Sequence, residues 1–413
     1  MLRYWKLIVI VPLIMLVFGT YYLTASDDIP PYYIKTIAGD EKEAAHVSLQ
    51  AYDNNQLQIQ TGGSRYVGGN SFLESLESDN YLTPELERLI KENRSFMRGK
   101  RNLAGIYEDA HILGYAEIDT PNDYYENQSG KVTISLYDKE RRTDRSFQVM
   151  LPRERVTDII VVSNVQIKES LIKLVTSNQS DRTVRATRSQ HVYSIDLVKQ
   201  TVIGDQTILN TAVTDKNQHI DIMDVYEADH SLPSNFIVRR IAHTRQQDEK
   251  DRTGDNTPSQ EPVIEKSELF VYDLWNDKAS TLTNEAINRL SNEPASLALS
   301  LEGDMLYLTS WADPKGPRTL HYNLRDSKVV GETALNIAEL QANATEAANS
   351  RIVNGRFFTL LNALHDGNES YPKPPILVVA ELGTGRILYQ GLVARKDNQP
   401  FDNLNIHSLF FYK

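Results

Sequence analysis

The stretch Ser267–Gly331 contains SELFVYDLWNDKASTLT (267–283), SLALSLEGDMLYLTSW (296–311) and RTLHYNLRDSKVVG (318–331). Each piece is an apolar or alternating run broken by a short polar turn, the pattern of strand, tight turn and strand. Weaker copies recur along the chain, which marks one unit of a repeat fold.

The copies share an Asp-like residue between two apolar runs: Asp53, Asp138, Asp196, Asp273, Asn323 and Glu381. Their intervals are 85, 58, 77, 50 and 58 residues. The shortest approach the roughly 40–50 residues of a propeller blade. The two longest hold segments that break the β pattern. Phe72–Arg101 reads as a helical insertion, with Thr83 as N-cap, Pro84 in the first turn, and Leu86, Leu89, Ile90 and Met97 on one face. Arg88, Lys91, Arg94, Arg98, Lys100 and Arg101 make it basic, but Glu85, Glu87 and Glu92 offset half of that charge. Packing on the body therefore outranks docking to an acidic partner or to lipid headgroups. Gln246–Glu265 is charged and nearly free of apolar groups, the composition of a long hairpin loop without order. Residues 332–350 (ETALNIAELQANATEAANS) read as one or two helices. Tyr32–Ala38 and Leu404–Tyr412 are strand-like at the two ends. They are expected to share one closing sheet, because an unclosed repeat leaves open edges.

Ser300-Leu301-Glu302-Gly303-Asp304-Met305-Leu306-Tyr307-Leu308-Thr309-Ser310 resembles the TolB-type β-propeller repeat, with Leu301 where that family has Pro and Glu302 where it has Asp. TLHYNLRDSKVV, from Thr319, resembles the second hairpin of the same repeat. The resemblance implies an all-β, β-propeller-like fold of six to seven blades with helical insertions. It implies nothing about activity, since propellers host enzymes, ligand binders and scaffolds. A β-sandwich with similar hairpins is the alternative architecture.

Leu7–Leu23 (LIVIVPLIMLVFGTYYL) is uncharged over seventeen residues, the lower limit for crossing a bilayer at about 1.5 Å per residue. Arg3 and Lys6 precede it, and Asp27 and Asp28 follow. The expectation is one N-terminal transmembrane helix, with the N-terminus cytoplasmic and the main domain extracytoplasmic. The domains are then an anchor over 1–26 and a β domain over 27–413. A cleaved signal peptide is the rival reading, but Leu23 two positions before Ala25 spoils the small-residue pattern. Without Arg3 and Lys6 the balance is 42 basic against 55 acidic residues. That charge argues against nucleic acid and against anionic lipid surfaces. The absence of cysteine excludes a disulfide framework and thiolate chemistry.

No G-x-S-x-G elbow, H-E-x-x-H or EF-hand loop occurs. Gly62, Gly63, Gly68 and Gly69 form a glycine loop, but no Lys-Ser or Lys-Thr follows to hold phosphate. His219 and Asp221 share a strand face in HIDIMD while Asp224 faces away, which is short of a metal set. The sequons at Asn93, Asn127, Asn178, Asn343 and Asn368 receive no role. No catalytic, cofactor or metal residue emerges, and no cofactor is implied. The reading is a membrane-anchored extracytoplasmic binding protein for a protein or cell-envelope ligand, in a structural, sensory or regulatory role. The alternative is a tethered hydrolase using carboxylates at the propeller's central opening.

Overall fold

The repeated unit is a four-stranded antiparallel sheet. The computed structural model describes residues 10–17, 19–20, 32–53, 55–67, 83–119, 130–152, 159–179, 188–211, 218–225, 232–245, 263–291, 297–313, 315–337, 340, 344–363, 374–397 and 404–411. β1 (Tyr32–Gly39) leads into β2 (Val47–Asp53), β3 (Asn55–Gln60) and β4 (Gly63–Tyr66). Helices α1 (Pro84–Glu92) and α2 (Arg94–Met97) precede β5 (Ile106–Glu108), β6 (Ile112–Ile118), β7 (Lys131–Asp138) and β8 (Thr143–Met150). Next come β9 (Ile159–Lys168), β10 (Leu171–Gln179), β11 (Arg188–Asp196) and β12 (Thr201–Asn210), then β13 (Gln218–Asp224), β14 (Phe236–Arg245), β15 (Val263–Asp273) and β16 (Lys278–Thr281). After α3 (Glu285–Ser291) follow β17 (Leu297–Glu302), β18 (Met305–Ser310), β19 (Arg318–Asn323) and β20 (Lys328–Ala334). The last set is β21 (Ala344–Val353), β22 (Arg356–Ala363), β23 (Ile376–Glu381), β24 (Ile387–Arg395) and β25 (Asn405–Phe411).

Among the described residues these strands form six sheets. Four use consecutive strands: β5–β8, β9–β12, β13–β16 and β17–β20. They make up one compact unit, Arg88–Asn336 with Arg351–Gly355. The other unit, Met1–Glu87, Ile337–Ser350 and Arg356–Lys413, holds two sheets that exchange their ends. β1 pairs with β24, and β25 pairs with β2. The two termini therefore enter neighbouring sheets of one unit and not a single shared sheet. The reason is pairing capacity: β2 and β24 each have a free edge, and one terminal strand fills each.

The marker residues have a common geometry. In five sheets the third strand ends on one of them: Asp138, Asp196, Asp273, Asn323 or Glu381. Four residues later the backbone turns left-handed, at Arg142 (φ 55°), Gln200 (55°), Asp277 (50°), Ser327 (52°) and Gly385 (72°). The short side chain makes the turn. Asp196 Oδ1 accepts from the amides of Val198 and Lys199 at 2.8 and 2.9 Å, and Asp273 Oδ1 from those of Trp275 and Asn276 at 3.1 and 3.0 Å. Asx side chains suit this role because they reach backbone donors two and three residues on. The residue after the marker is buried in four copies, as Leu197, Leu274, Leu324 and Leu382. Asp53 does not belong to this series. Its carboxylate accepts from the Tyr32 hydroxyl at 2.7 Å instead. Gly303, at φ 59°, opens the two-residue turn between β17 and β18.

Inner strands are buried on both faces, so they read as near-continuous apolar runs. Ile134, Val149, Leu174, Tyr193 and Ile195 fill the layer between β5–β8 and β9–β12. Val175, Val192, Ile237, Phe270 and Tyr272 fill the next. α3, which the sequence reading missed, inserts Ile287 and Leu290 among Leu269, Leu306 and Leu320 in the last. Asn284 caps it, accepting from the Ala286 amide at 2.9 Å.

Three expectations need correction. Residues 332–334 belong to β20 and residues 344–350 to β21, where helix was expected; residues 338–339 and 341–343 lie outside the described residues. Helix propensity is worth only tenths of a kcal/mol per residue, and completing a sheet outweighs it. The loop expected over 246–265 ends early, because Val263 starts β15 and Arg245 pairs with Glu265 at 2.8 Å. Residues 246–262 lie outside the described residues. In the insertion, Met97 does not share a helix with Leu86 and Leu89, since the chain breaks at Asn93. Residues 72–82 also lie outside the described residues. So does much of the expected spanning segment. Residues 10–17 are helical, and no helix among the described residues is long and apolar enough to cross a membrane.

The basic residues of the insertion turn partly inward. Arg88 donates to Glu92 at 2.8 Å and to buried Glu108, which Lys139 also reaches at 2.8 Å. Lys100 lies over the Phe96 ring at 4.3 Å, and burial pulls its amine below the ordinary value. Burial alone would raise the Glu108 carboxyl, but the hydrogen bonds from Arg88 and Lys139 prevail and hold it low. A depressed carboxyl stabilises the fold above its unfolded pKa and loses that contribution as pH falls through its folded one. Glu108→Gln is expected to cost about 3 kcal/mol at pH 7, the low end for breaking a buried pair. Urea midpoints should show this deficit shrinking below about pH 4. A deficit constant from pH 7 to pH 3 would assign the cost to shape and not to charge.

Candidate functional site

Alternation along β11 puts Ser189, His191 and Tyr193 on one face. β10 supplies their neighbours: Asn178 opposite Ser189, Thr176 opposite His191 and Leu174 opposite Tyr193. On the other side β12 places Thr207 opposite His191 and Asp205 opposite Tyr193, with register shifts at Gln190/His191 and at Ser194/Ile195. The shift at Ser194/Ile195 sets Asp205 opposite Tyr193, so its carboxylate lies diagonal to the imidazole.

The outcome is a chain of three side chains. Asp205 Oδ1 lies 3.0 Å from His191 Nδ1, and Ser189 Oγ lies 3.2 Å from His191 Nε2. His191 is 3% exposed and Asp205 28%. The carboxylate selects the tautomer with hydrogen on Nδ1, which leaves the Nε2 lone pair facing the serine hydroxyl. Tyr193 stacks on the ring at 5.7 Å with 10° between planes. The Thr176 hydroxyl donates to Asn178 Oδ1 at 2.7 Å, which fixes that amide beside Ser189. Nucleophile, base and orienting carboxylate in hydrogen-bond contact is the arrangement used for acyl transfer.

The reverse face of the same sheet is structural. Buried Lys173 donates to Ser194 Oγ at 3.0 Å and to Asp277 Oδ1 at 2.6 Å. The Tyr272 hydroxyl lies 2.8 Å from Asp277 Oδ1 and 2.7 Å from Gln206 Oε1. Burial, then the bond to Asp277, pushes the Tyr272 phenol well above its ordinary value, so it stays a donor. These groups tie β10–β12 to β15.

The residues weighed from sequence lie elsewhere. His219 and Asp221 are exposed on edge strand β13, Asp224 ends that strand, and the Thr244 hydroxyl is 3.5 Å from Asp221. Among the described residues no group of three His, Cys, Asp or Glu is placed to hold a metal ion. Gly62 lies in the β3–β4 hairpin turn, so the strand-to-helix setting of a phosphate loop is missing there; Gly68 and Gly69 lie outside the described residues. Asn178 is 7% exposed within β10, no setting for a glycan. Sequence reasoning missed Ser189, His191 and Asp205. The only trace was Ser-x-His in an alternating strand, with an Asp fourteen residues on.

No family model and no curated protein matches this sequence. Among solved structures, TolB from Acinetobacter baumannii is similar at 10% identity over 94% of this chain and 84% of that one, with a TM-score of 0.24. The propeller domain of the Trilobed protease from Pyrococcus furiosus gives 10% identity over 73% and 98%, at 0.23. An acylaminoacyl peptidase from Pyrococcus horikoshii gives 10% over 69% of this chain, at 0.31, and the chain spans 45% of that protein. The fold is propeller-like. That statement rests on the six antiparallel sheets among the described residues, four of them built from consecutive strands, and on the turn repeated in five of them; no residue's role is taken from these similarities.

Proposed function

We propose that this protein is a membrane-anchored extracytoplasmic binding protein whose propeller-like domain engages a protein or cell-envelope ligand. One observation supports this reading most directly. Residues 10–17 form an apolar helix with its side chains in the open: Leu13 is 61% exposed, Met15 70% and Leu16 66%. Such a surface needs lipid or protein to cover it. Arg3 and Lys6 before the run favour a cytoplasmic N-terminus. The β domain supplies rigid strands with loops free to vary, a scaffold suited to binding.

Deleting residues 1–25 is expected to move the protein from the membrane fraction to the soluble fraction with its β circular dichroism unchanged. Protease added to intact cells is expected to digest the full-length domain. A truncated protein that stays with membranes, or full protection from protease, would overturn the reading. Proximity labelling at the outer face would then name the ligand. A tethered hydrolase is the second reading. The observation favouring it is the Ser189–His191–Asp205 chain, not a pair of carboxylates.

A further inference from the structure

We propose that Ser189 is an acylatable nucleophile, activated by His191 and Asp205, and that the face of β10–β12 hydrolyses short uncharged esters. The inference does not depend on the membrane anchor. The competing explanation is a structural ladder of polar side chains, and the chain contains an example of one. His321, in β19, has the Thr333 hydroxyl 3.2 Å from Nε2 and the Tyr307 ring edge-on at 5.3 Å, with no carboxylate on its other nitrogen among the described residues. Burial alone acts on it, lowering its pKa. His111 has a carboxylate, Glu140, at 2.7 Å, but both side chains are 71% exposed and no hydroxyl partner accompanies them among the described residues. At His191 a hydroxyl and a carboxylate meet opposite nitrogens of a buried ring. A ladder needs either one; a base oriented toward a nucleophile by a third group uses both.

The chemistry closes without any further reagent than water. Ser189 Oγ attacks the ester carbonyl carbon while its proton passes to His191 Nε2, and Asp205 stabilises the imidazolium. The C–O bond to the alcohol breaks, and Nε2 returns the proton to the departing oxygen, leaving acyl-Ser189. Water then attacks the acyl carbon, gives a proton to Nε2, and releases the carboxylic acid as the proton goes back to Ser189 Oγ. Asn178 lies across the ladder from Ser189, with its Nδ2 3.5 Å from the Tyr193 hydroxyl; the second Nδ2 hydrogen is the donor for the developing oxyanion in this scheme. One side-chain amide suits esters, whose alkoxide leaves more readily than an amine. With His191 only 3% exposed, access limits the acyl group to a short one, and the Asp205 carboxylate beside it disfavours an anionic one.

The test treats the folded full-length protein with a fluorophosphonate probe and maps the label by peptide mass spectrometry. Attack by Oγ displaces fluoride and leaves a stable phosphonyl-serine. Label is expected on Ser189, absent after heat denaturation and absent in Ser189→Ala. Ser194→Ala, on the opposite face, should label fully. Hydrolysis of p-nitrophenyl acetate should fall by about 10²–10⁴-fold in Ser189→Ala and in Asp205→Asn. No label on Ser189 of the native protein would overturn the proposal, and that measurement needs no variant to fold. Labelling that persists unchanged in both His191→Gln and Asp205→Asn would overturn it as well, by showing a serine that neither group activates.

Discussion

Removing residues 404–413 is expected to destabilise the unit that holds both chain ends by about 5 kcal/mol, from roughly 1.5–3 kcal/mol for each large apolar side chain buried. β25 lies along β2 in antiparallel register, with Leu409 opposite Leu49 and Phe411 opposite Val47. Leu409 is 1% exposed, and the Phe411 ring meets Phe358 of β22 edge-on at 4.6 Å. The strand thus completes one sheet and packs on the next. Its loss would uncover the backbone edge of β2, whose Val47, Leu49 and Ala51 are buried, and leave an edge prone to pairing with other chains. Equilibrium unfolding in urea should give a lower midpoint, and light scattering should show association of the truncated protein. A truncated protein that unfolds at the full-length midpoint would mean that the exchange of ends contributes nothing.

Replacing Asp277 by Asn should cost about 2–3 kcal/mol, less than the 3–5 kcal/mol of a fully buried pair because its carboxylate is half-exposed. Asn tolerates the left-handed backbone at φ 50° nearly as well as Asp, so the change isolates the charge. What remains is the Lys173 ammonium, 2% exposed, facing neutral oxygens, Ser194 Oγ and the new amide, with no compensating carboxylate among the described residues. Lys173→Met in the same background should recover most of the loss, since it removes the stranded charge and keeps the volume. If Asp277→Asn melts like the parent, solvent already compensates Lys173. If the double variant is no better than the single, the cost lies in the turn and not in the buried ammonium. This cycle also bears on the proposed nucleophile. Lys173 and Ser194 lie on the reverse face of the sheet that carries Ser189, so disturbing them should lower stability without removing the fluorophosphonate label.

The repeat is legible in the sequence alone. Asp138, Asp196, Asp273, Asn323 and Glu381 could be marked because the turn they make is local: the three Asp side chains reach amides two and three residues on, Asn323 reaches the third, Glu381 accepts from the Thr384 hydroxyl, and a left-handed residue follows at the fourth in all five. Thr83 as a helix start was legible for the same reason, as its hydroxyl lies 3.3 Å from the Leu86 amide. Asp53 misled because an Asp at a turn looks alike whether its partner is the next amide or the hydroxyl of a strand 21 residues away. Residues 332–350 misled because their helix propensity is local while the sheet that claims β21 is not. Tertiary structure alone decided which edges the two ends fill, since β1 and β25 are equally strand-like in sequence. It also decided the candidate site. Ser189 and His191 are neighbours by alternation, but Asp205 reaches the imidazole only because the register shift at Ser194/Ile195 sets it opposite Tyr193. A shift of one residue turns every side chain of a strand to the opposite face, and such shifts arise from pairing between strands, which no single strand encodes.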